Sequence, residues 1–543
     1  MTKNTYIQLG IIIFSVLLFI PFIGNVPLFD WDEINFAESA REMIVSGDYL
    51  NVQINFEQFW EKPPLFIWLQ VVSMKIFGIN EFAARFPNAV AGIVTLLFLF
   101  NIGRKYFSQS FGLLWVAVYA GSFLPHLYFK SGIIDPWFNL FIFSSIFFSV
   151  HYLSSKERKY KFLILSGFLL GLAVLTKGPV AILLFGTTLF FLFLIKKFKI
   201  KLTIKELILF ILVSSFVGGF WFILQIIEGN YTVIQDFIVY QIRLFRTEDA
   251  GHGGFLGYHF VVLFLGVFPA SIFSFKYIKN SYSDKNEQKM FRQACVILFW
   301  AVLIIFTIVK TKIVHYSSLA YFPLTFIAVY SIQKTISGEY LKSKIVSILL
   351  IFFSFIFGIS VIAVQYISMN WENLKNKIEI KDDFFLANMQ AKPEWSGFEM
   401  FIGFFLILAI PAVLWFFRNN YKLKIYSVFL VSGIFINSTL IFTVPKIEKY
   451  TQNAAIEFFI KHSEEDAQIK TFGYKSYAHL FYGKKQKKLL NISSVNTENQ
   501  KKITYFVCKI NKEKSFVEKH PKAEKLYDKN GFCFYILKNA GDE

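Results

Sequence analysis

The chain is predicted to be an α-helical polytopic membrane protein that ends in a small soluble α/β domain. Of its 543 residues, 55% are hydrophobic and 69 are Phe, and the mean hydropathy is +0.49, a composition outside the range of ordinary soluble proteins. Beyond Lys446 the long Phe-rich runs stop and Lys, Glu, Asn and Gln rise. The expected division is therefore 1–445 for the membrane part and 446–543 for the soluble part.

A span needs about 20 largely apolar residues. About thirteen runs approach this: 6–24, 83–102, 110–129, 136–153, 161–176, 179–195, 206–227, 256–275, 293–309, 316–332, 345–366, 398–417 and 424–443. The first run follows Lys3 and lacks a small-residue cleavage site, so it is expected to be retained as a helix. The stretch from Pro64 to Gly78 is short and carries Lys75, which suits an interfacial helix better than a span.

Loop charge orients these runs. With the N-terminus inside, the basic connections all fall on the cytoplasmic side: Arg104-Lys105, Lys156 to Lys161, Lys196 to Lys205, Lys276 to Arg292, Lys334 to Lys344 and Arg418 to Lys424. The long or acidic connections, 25–82, 130–135, 228–254, 310–315 and 367–397, fall outside, together with the C-terminal domain. This is the positive-inside pattern. It accounts for the formal charge of +19 by topology and removes the need for a nucleic-acid partner.

In the C-terminal part, Asn453 to His462 has helical periodicity, Ile469 to Phe472, Ile503 to Cys508 and Phe532 to Leu537 have strand composition, and Lys514 to Lys519 can form a helix. The three cysteines, Cys295, Cys508 and Cys533, show neither a CxxC nor a Cys/His ligand spacing. A zinc module and a disulfide scaffold are both unsupported, although Cys508 and Cys533 could pair.

The chemistry gathers in the outside loops. Asp30, Asp32 and Glu33 crowd the start of an amphipathic pattern through Phe36, Ala40, Met43 and Ile44 that stops at Gly47. N-cap and N3 spacing gives Asp30 and Glu33 a capping role. Asp32 is left over, and a carboxylate kept at a membrane surface suits catalysis. Further on, Trp60-Glu61-Lys62-Pro63-Pro64 fixes a lysine at headgroup level, where it either anchors an interfacial helix or binds a phosphate. Asp135, before Pro136, either caps the next helix or supplies a second acid on the same face. The loop from Gln241 to Gly254 contains Arg243, Arg246 and His252, and the turn from Lys310 to Tyr316 contains Lys310, Lys312 and His315. Outside loops are not ordinarily basic, so these cations point to an anion at the membrane plane, the alternative being a solvated loop. Glu61, His252 and His315 lack a metal-ligand spacing, so no metal and no cofactor is assigned. No glycine loop of the nucleotide-binding kind is present either.

The order of these features resembles the ArnT-like branch of the GT-C glycosyltransferases, relatives of the protein O-mannosyltransferases. The resemblance is carried by Asp32-Glu33, Ala37-Glu38-x-Ala40-Arg41-Glu42-Met43, Gly47-Asp48, Glu61-Lys62-Pro63-Pro64-Leu65 and Arg85-Phe86-Pro87. It continues through Asp135, Thr176-Lys177-Gly178-Pro179, the Arg246 to His252 loop and Lys310-Thr311-Lys312. One departure is Gly253-Gly254 after His252, where a proline would be expected. The resemblance implies a bacterial inner-membrane enzyme that moves a sugar, with inversion, from a polyprenyl-phosphate donor to an acceptor on the outer face. The acceptor would be lipid A or another envelope glycolipid.

In that picture Asp32 and Asp135 are the catalytic acids, and Lys62 and Arg246, with Arg243 as the competitor of Arg246, hold the donor phosphate. Glu33, Glu61, Arg41, His252, Lys310 and Lys312 are supporting residues. A protein O-glycosyltransferase would share the donor and differ in using a Ser or Thr acceptor. A flippase of lipid-linked sugars would need charges within the spans and broken helices at the midplane, whereas the charges here gather at one face.

Overall fold

A computed structural model describes residues 3–59, 61–199, 202–247, 253–274, 285–377, 379–485 and 503–538. Helix α1 (Lys3–Phe19) is followed by α2 (Asp32–Ser46), a hairpin of β1 (Gln53–Ile54) and β2 (Glu57–Gln58), α3 (Leu65–Phe77) and α4 (Glu81–Tyr106). Then come α5 (Gln109–Ala120), α6 (Phe123–Tyr128), α7 (Asp135–Ser154), α8 (Tyr160–Lys177), α9 (Val180–Ile195), α10 (Ile204–Ile227) and α11 (Tyr231–Arg246). Helices α12 (Tyr258–Gly266), α13 (Ala270–Ser274) and α14 (Asn286–Ile308) lead to a 3-10 turn at Val314–Ala320, α15 (Tyr321–Ile336) and α16 (Lys344–Met369). Two further apolar helices, Phe398–Phe416 and Tyr421–Ser438, precede the C-terminal part.

Eight helices among the described residues are long and apolar enough to cross a membrane: α4, α7, α8, α10, α14, α16, Phe398–Phe416 and Tyr421–Glu448. Each coincides with an expected run. The other five runs are shorter or interrupted, so length and composition alone give eight rather than thirteen. Helix α1 has 17 residues and α9 has 16. The run 110–129 divides at Gly121-Ser122, where the chain passes so close to the helix Tyr421–Ser438 that a Cβ on Gly121 would lie 2.4 Å from the Phe429 carbonyl oxygen. The run 256–275 divides at Pro269, which has no N–H for a helical bond, and 316–332 starts as a 3-10 turn.

Helices meet where side chains vanish, as small residues allow in membranes. A Cβ on Gly103 of α4 would approach Gly112 of α5 to 2.6 Å. Gly358 of α16 and Gly403 of the facing helix make the same kind of contact, 2.6 Å from a Cβ to the opposite carbonyl oxygen. Helix starts follow sequence: Asn80 caps α4 by accepting from Ala83 N at 2.9 Å, and Ser108 caps α5 by accepting from Phe111 N at 3.1 Å.

The C-terminal part is a four-stranded sheet of order β3-β4-β6-β5, formed by β3 (Ala467–Phe472), β4 (Ile503–Lys509), β5 (Glu524–Lys529) and β6 (Phe532–Lys538). Strand β4 runs parallel to β3 and antiparallel to β6. Three of these strands were expected. Strand β5 was not, because Glu524-Lys-Leu-Tyr-Asp-Lys is exposed at every position and carries the charges that blunt a sheet edge. Cys508 and Cys533 are register partners, both buried and unlinked. Helix Asn453–Lys461 packs Phe458 against Phe534, with ring centroids 4.5 Å apart, on one face of the sheet. Helix Glu513–Lys519 covers the other face through Phe516 and Tyr535, 4.6 Å apart.

This sheet sits on the first loop. Tyr482 Oη accepts from Leu28 N at 2.8 Å, Gln452 Nε2 donates to the Leu28 carbonyl at 2.8 Å, and Ser476 Oγ donates to Asp30 Oδ1 at 2.6 Å. The loop is thereby held between the helices and the sheet.

Candidate active site

A cavity of about 630 Å3 opens where the first loop, the start of α7, the end of α8, α11 and the 3-10 turn converge. Asp32 lies at its wall as the first residue of α2. Its carboxylate is about one-third exposed, with Oδ2 3.3 Å from His315 Nε2. Burial pulls the His315 imidazole below its ordinary pKa, opposed by Asp135 and Asp32.

The capping expected of Asp30 and Glu33 is not what the structure contains. The residue preceding α2 is Trp31, in the left-handed region at φ 72°, and no side chain caps the helix. Asp30 instead accepts from Ser476 of the C-terminal part, and its burial raises its pKa. Glu33 is buried and accepts a fork from Arg85, Nε at 3.0 Å and Nη2 at 2.7 Å, together with the backbone N–H of Phe29 and Gly132. It joins the first loop to α4 and to the turn before α7. Such bidentate charge-assisted bonds are strong and geometrically specific.

Asp135 does not have the capping role expected of it. The residue before α7 is Ile134 and the carboxylate makes no cap. It is buried, with Oδ1 2.7 Å from Lys177 Nζ and accepting from Ser318 Oγ at 3.2 Å. It therefore stands behind the cavity and orients Lys177, which lines it. Lys177 has this position because α8 ends there and Gly178, at φ 87°, lets the chain turn directly into α9.

Lys62 reaches the same cavity from the other side. Its Nζ lies 5.0 Å from the centroid of the Tyr240 ring, and Tyr240 Oη donates to Glu61 Oε2 at 3.0 Å. Burial pulls the lysine below its ordinary pKa, while Glu61 opposes the shift. Arg243 also stacks on Tyr240, at 5.0 Å, and lines the cavity. Arg246, expected first as the phosphate ligand, lies at the end of α11, is exposed and is not among the lining residues. One helical turn separates the two arginines, and only Arg243 has Tyr240 to rest on.

Three supporting residues lie elsewhere. Arg41 is buried, paired with Glu38 at 2.7 Å, and donates to the Lys485 carbonyl at 2.9 Å, tying α2 to the C-terminal part. Lys312 is buried and its Nζ donates to the carbonyls of Phe306, Thr307 and Val309 at 2.9, 2.6 and 2.6 Å. It satisfies the end of α14, as cations do at helix C-termini, and is not among the residues lining the cavity. Lys310 is exposed and outside the lining set. His252 lies outside the described residues.

Four cavity residues had no assigned role in the sequence. Lys177 was visible within Thr176-Lys177-Gly178-Pro179, and a lysine in a turn too short to hold loop charge is the signal that could have found it. His315 is expected with the cations of its turn or as a metal ligand, not beside Asp32. Tyr240 and Lys475 carried no local signal, since Lys475 arrives from the C-terminal part and stacks on Trp31 at 5.7 Å. Among the described residues, the one grouping of potential metal ligands is Glu513, Asp528 and Cys533. It lies in the C-terminal sheet, away from the cavity, and Lys525 already bridges its two carboxylates at 2.5 and 2.6 Å.

A second hollow of about 270 Å3 adjoins the first at Lys62, Lys177 and Tyr316. Beyond those three its wall is almost wholly apolar, including Phe138 of α7, Leu183 and Leu184 of α9 and Phe306 of α14. Two cations thus stand at the junction of an apolar groove and a polar chamber.

A family model described as dolichyl-phosphate-mannose-protein mannosyltransferase matches residues 61–221. A protein of Aquifex aeolicus is 27% identical over 318 residues, covering 58% of this chain and 59% of its own length. The undecaprenyl phosphate-alpha-4-amino-4-deoxy-L-arabinose arabinosyl transferase of Shewanella sediminis is 26% identical over 368 residues, or 66% of each chain. The chain thus spans under two thirds of the length of these relatives. The crystal structure of ArnT from Cupriavidus metallidurans bound to undecaprenyl phosphate superposes with a TM-score of 0.75, covering 98% of both chains at 14% identity. The chain thus shares its fold along its whole length with ArnT, and over more than half of that length it is similar in sequence, below 30% identity, to undecaprenyl-phosphate arabinosyl transferases.

Proposed function

We propose that the chain transfers a sugar from a polyprenyl-phosphate donor to lipid A or another envelope glycolipid at the outer face of the bacterial inner membrane. The observation that carries this reading is the meeting of the apolar groove and the polar chamber at Lys62 and Lys177. An isoprenoid tail fits the groove, its phosphate falls between two ammonium groups, and its sugar enters the chamber beside Asp32.

The reaction is a direct displacement. The acceptor hydroxyl oxygen forms a bond to the anomeric carbon as the carbon–oxygen bond to phosphate breaks. The electron pair leaves with the polyprenyl phosphate, and the hydroxyl proton passes to Asp32. Inversion at the anomeric carbon follows. Lys62, Lys177 and Arg243 stabilise the charge that grows on the leaving phosphate, and being held in place already they need little reorganisation. Asp135 acts through Lys177 as a positioning residue. His315, 3.3 Å from Asp32, orients the base.

The matched segment 61–221 contains Lys62, Asp135 and Lys177, which serve the donor, so a protein acceptor is the second reading. Mass spectrometry of lipid A and of periplasmic glycoproteins from a deletion strain separates the two. Loss of a sugar from lipid A or another glycolipid supports the first reading and loss from proteins the second. Unchanged sugars in every pool would overturn both.

A further inference from the structure

On the other side of Trp31 lies a third cavity, of about 660 Å3, between the first loop, the short helix Asp383–Asn388, the end of Val444–Glu448 and the C-terminal sheet. Three buried polar atoms on residues of its wall have no hydrogen-bond partner among the described residues: Glu448 Oε1, Asn388 Oδ1 and the Tyr474 hydroxyl. Glu448 is 3% exposed and Asn388 5%. Each buried group left unpaired costs about 1–3 kcal/mol, and such groups are few in native proteins. Three in one cavity, none of them used by the donor chemistry, mark it as a polar binding site.

The character of the wall selects its ligand. Phe384, Phe459 and Phe532 offer aromatic and apolar surface beside the three polar atoms. A lipid tail would leave all three unpaired, and the carboxylates of Asp30, Asp382 and Glu448 offset the ammonium groups of Lys475 and Lys509, so the wall offers no net positive charge to hold an anion. A pyranose ring fits both features, with C–H faces for the aromatic rings and hydroxyl or amino groups for the acceptors and the donor. This cavity and the catalytic chamber share Phe29, Asp30, Trp31 and Lys475 in their walls. Trp31 holds φ 72° immediately before Asp32, a conformation that costs a non-glycine residue about 1–3 kcal/mol. It sets the ring between the two spaces.

We infer that this third cavity binds the saccharide part of the glycolipid acceptor through Glu448, Asn388 and Tyr474, so that one of its hydroxyls passes Trp31 to reach Asp32. The inference rests on the donor reading of the first two hollows. Its test uses the full chain in lipid nanodiscs, with a β-1,6-linked glucosamine disaccharide as the probe in saturation-transfer NMR. The expected result is transfer to the pyranose C–H protons that persists with undecaprenyl phosphate at saturation. Tyr474→Phe and Asn388→Leu should each weaken disaccharide affinity about tenfold, one lost hydrogen bond being worth near 1.4 kcal/mol. Undecaprenyl phosphate binding in the same preparations reports an intact fold. Tyr474→Phe removes a single oxygen and decides the matter if Asn388→Leu does not fold. Absence of transfer, equal affinity in the variants, or displacement by undecaprenyl phosphate overturns the inference. Failure of the donor reading is visible separately, as undecaprenyl phosphate affinity unchanged by Lys62→Ala.

Discussion

Lys177 Nζ lies 2.7 Å from Asp135 Oδ1, joining the turn between α8 and α9 to the first residue of α7. The pair is buried on the Asp135 side and open to the cavity on the Lys177 side. Removing one partner of a buried pair is costly because the other charge is left uncompensated. Asp135→Ala should therefore lower stability by about 3 kcal/mol, measured by thermal unfolding in detergent. Asp135→Ala combined with Lys177→Met should recover part of that loss and none of the donor affinity.

Asp32→Asn keeps the size of the side chain and removes the base. Transfer should fall by about a hundredfold or more, the usual contribution of a positioned base, with undecaprenyl phosphate affinity unchanged. Turnover near wild type in a radiolabelled-sugar assay would remove Asp32 from that role.

The Lys62 ammonium is held below its ordinary pKa of 10.5 by burial, which sets a sign for pH. A depressed lysine loses its charge as pH rises through the lowered value, while the unfolded chain keeps it up to 10.5. In that window stability gains with pH and affinity for an anionic donor falls. Lys62→Arg should abolish the affinity loss, because guanidinium stays charged. Binding of undecaprenyl phosphate followed against pH checks both statements.

Arg243 and Arg246 separate by position. Arg243→Ala should weaken donor binding about tenfold, a charge-assisted bond being worth roughly 1.5 kcal/mol or more. Arg246→Ala should change donor binding little, because surface substitutions stay within about 0.5 kcal/mol. Competition binding with both variants side by side is the measurement.

Lys312→Ala should act on stability alone. Its ammonium satisfies three carbonyls at the end of α14, and leaving buried acceptors unpaired costs about 1–3 kcal/mol. The melting temperature should fall while donor affinity per folded molecule holds. A selective loss of affinity would return Lys312 to the anion site.

The sequence by itself determined the fold class, because burying 55% apolar residues in runs near membrane length leaves few other solutions. It placed all eight long spans and singled out Asp32, Lys62, Glu61, Asp135 and Arg243 near the cavity, since charge beside a membrane is costly and therefore informative. It could not assign partners. Glu33 has helix-start spacing but is claimed by Arg85, 52 positions away, and Lys312 looks like a loop cation but folds back onto carbonyls at the end of the preceding helix. Local signals report only local competition, and these side chains had stronger long-range or buried partners.

What the tertiary structure decided is which charges face one space. Lys177, His315, Tyr240 and Lys475 come from four separate parts of the chain, and no spacing rule links them. Their meeting beneath Trp31 depends on where helices α7, α8 and α11 and the C-terminal sheet pack, which close contacts such as Gly103 to Gly112 help to set and which composition does not encode.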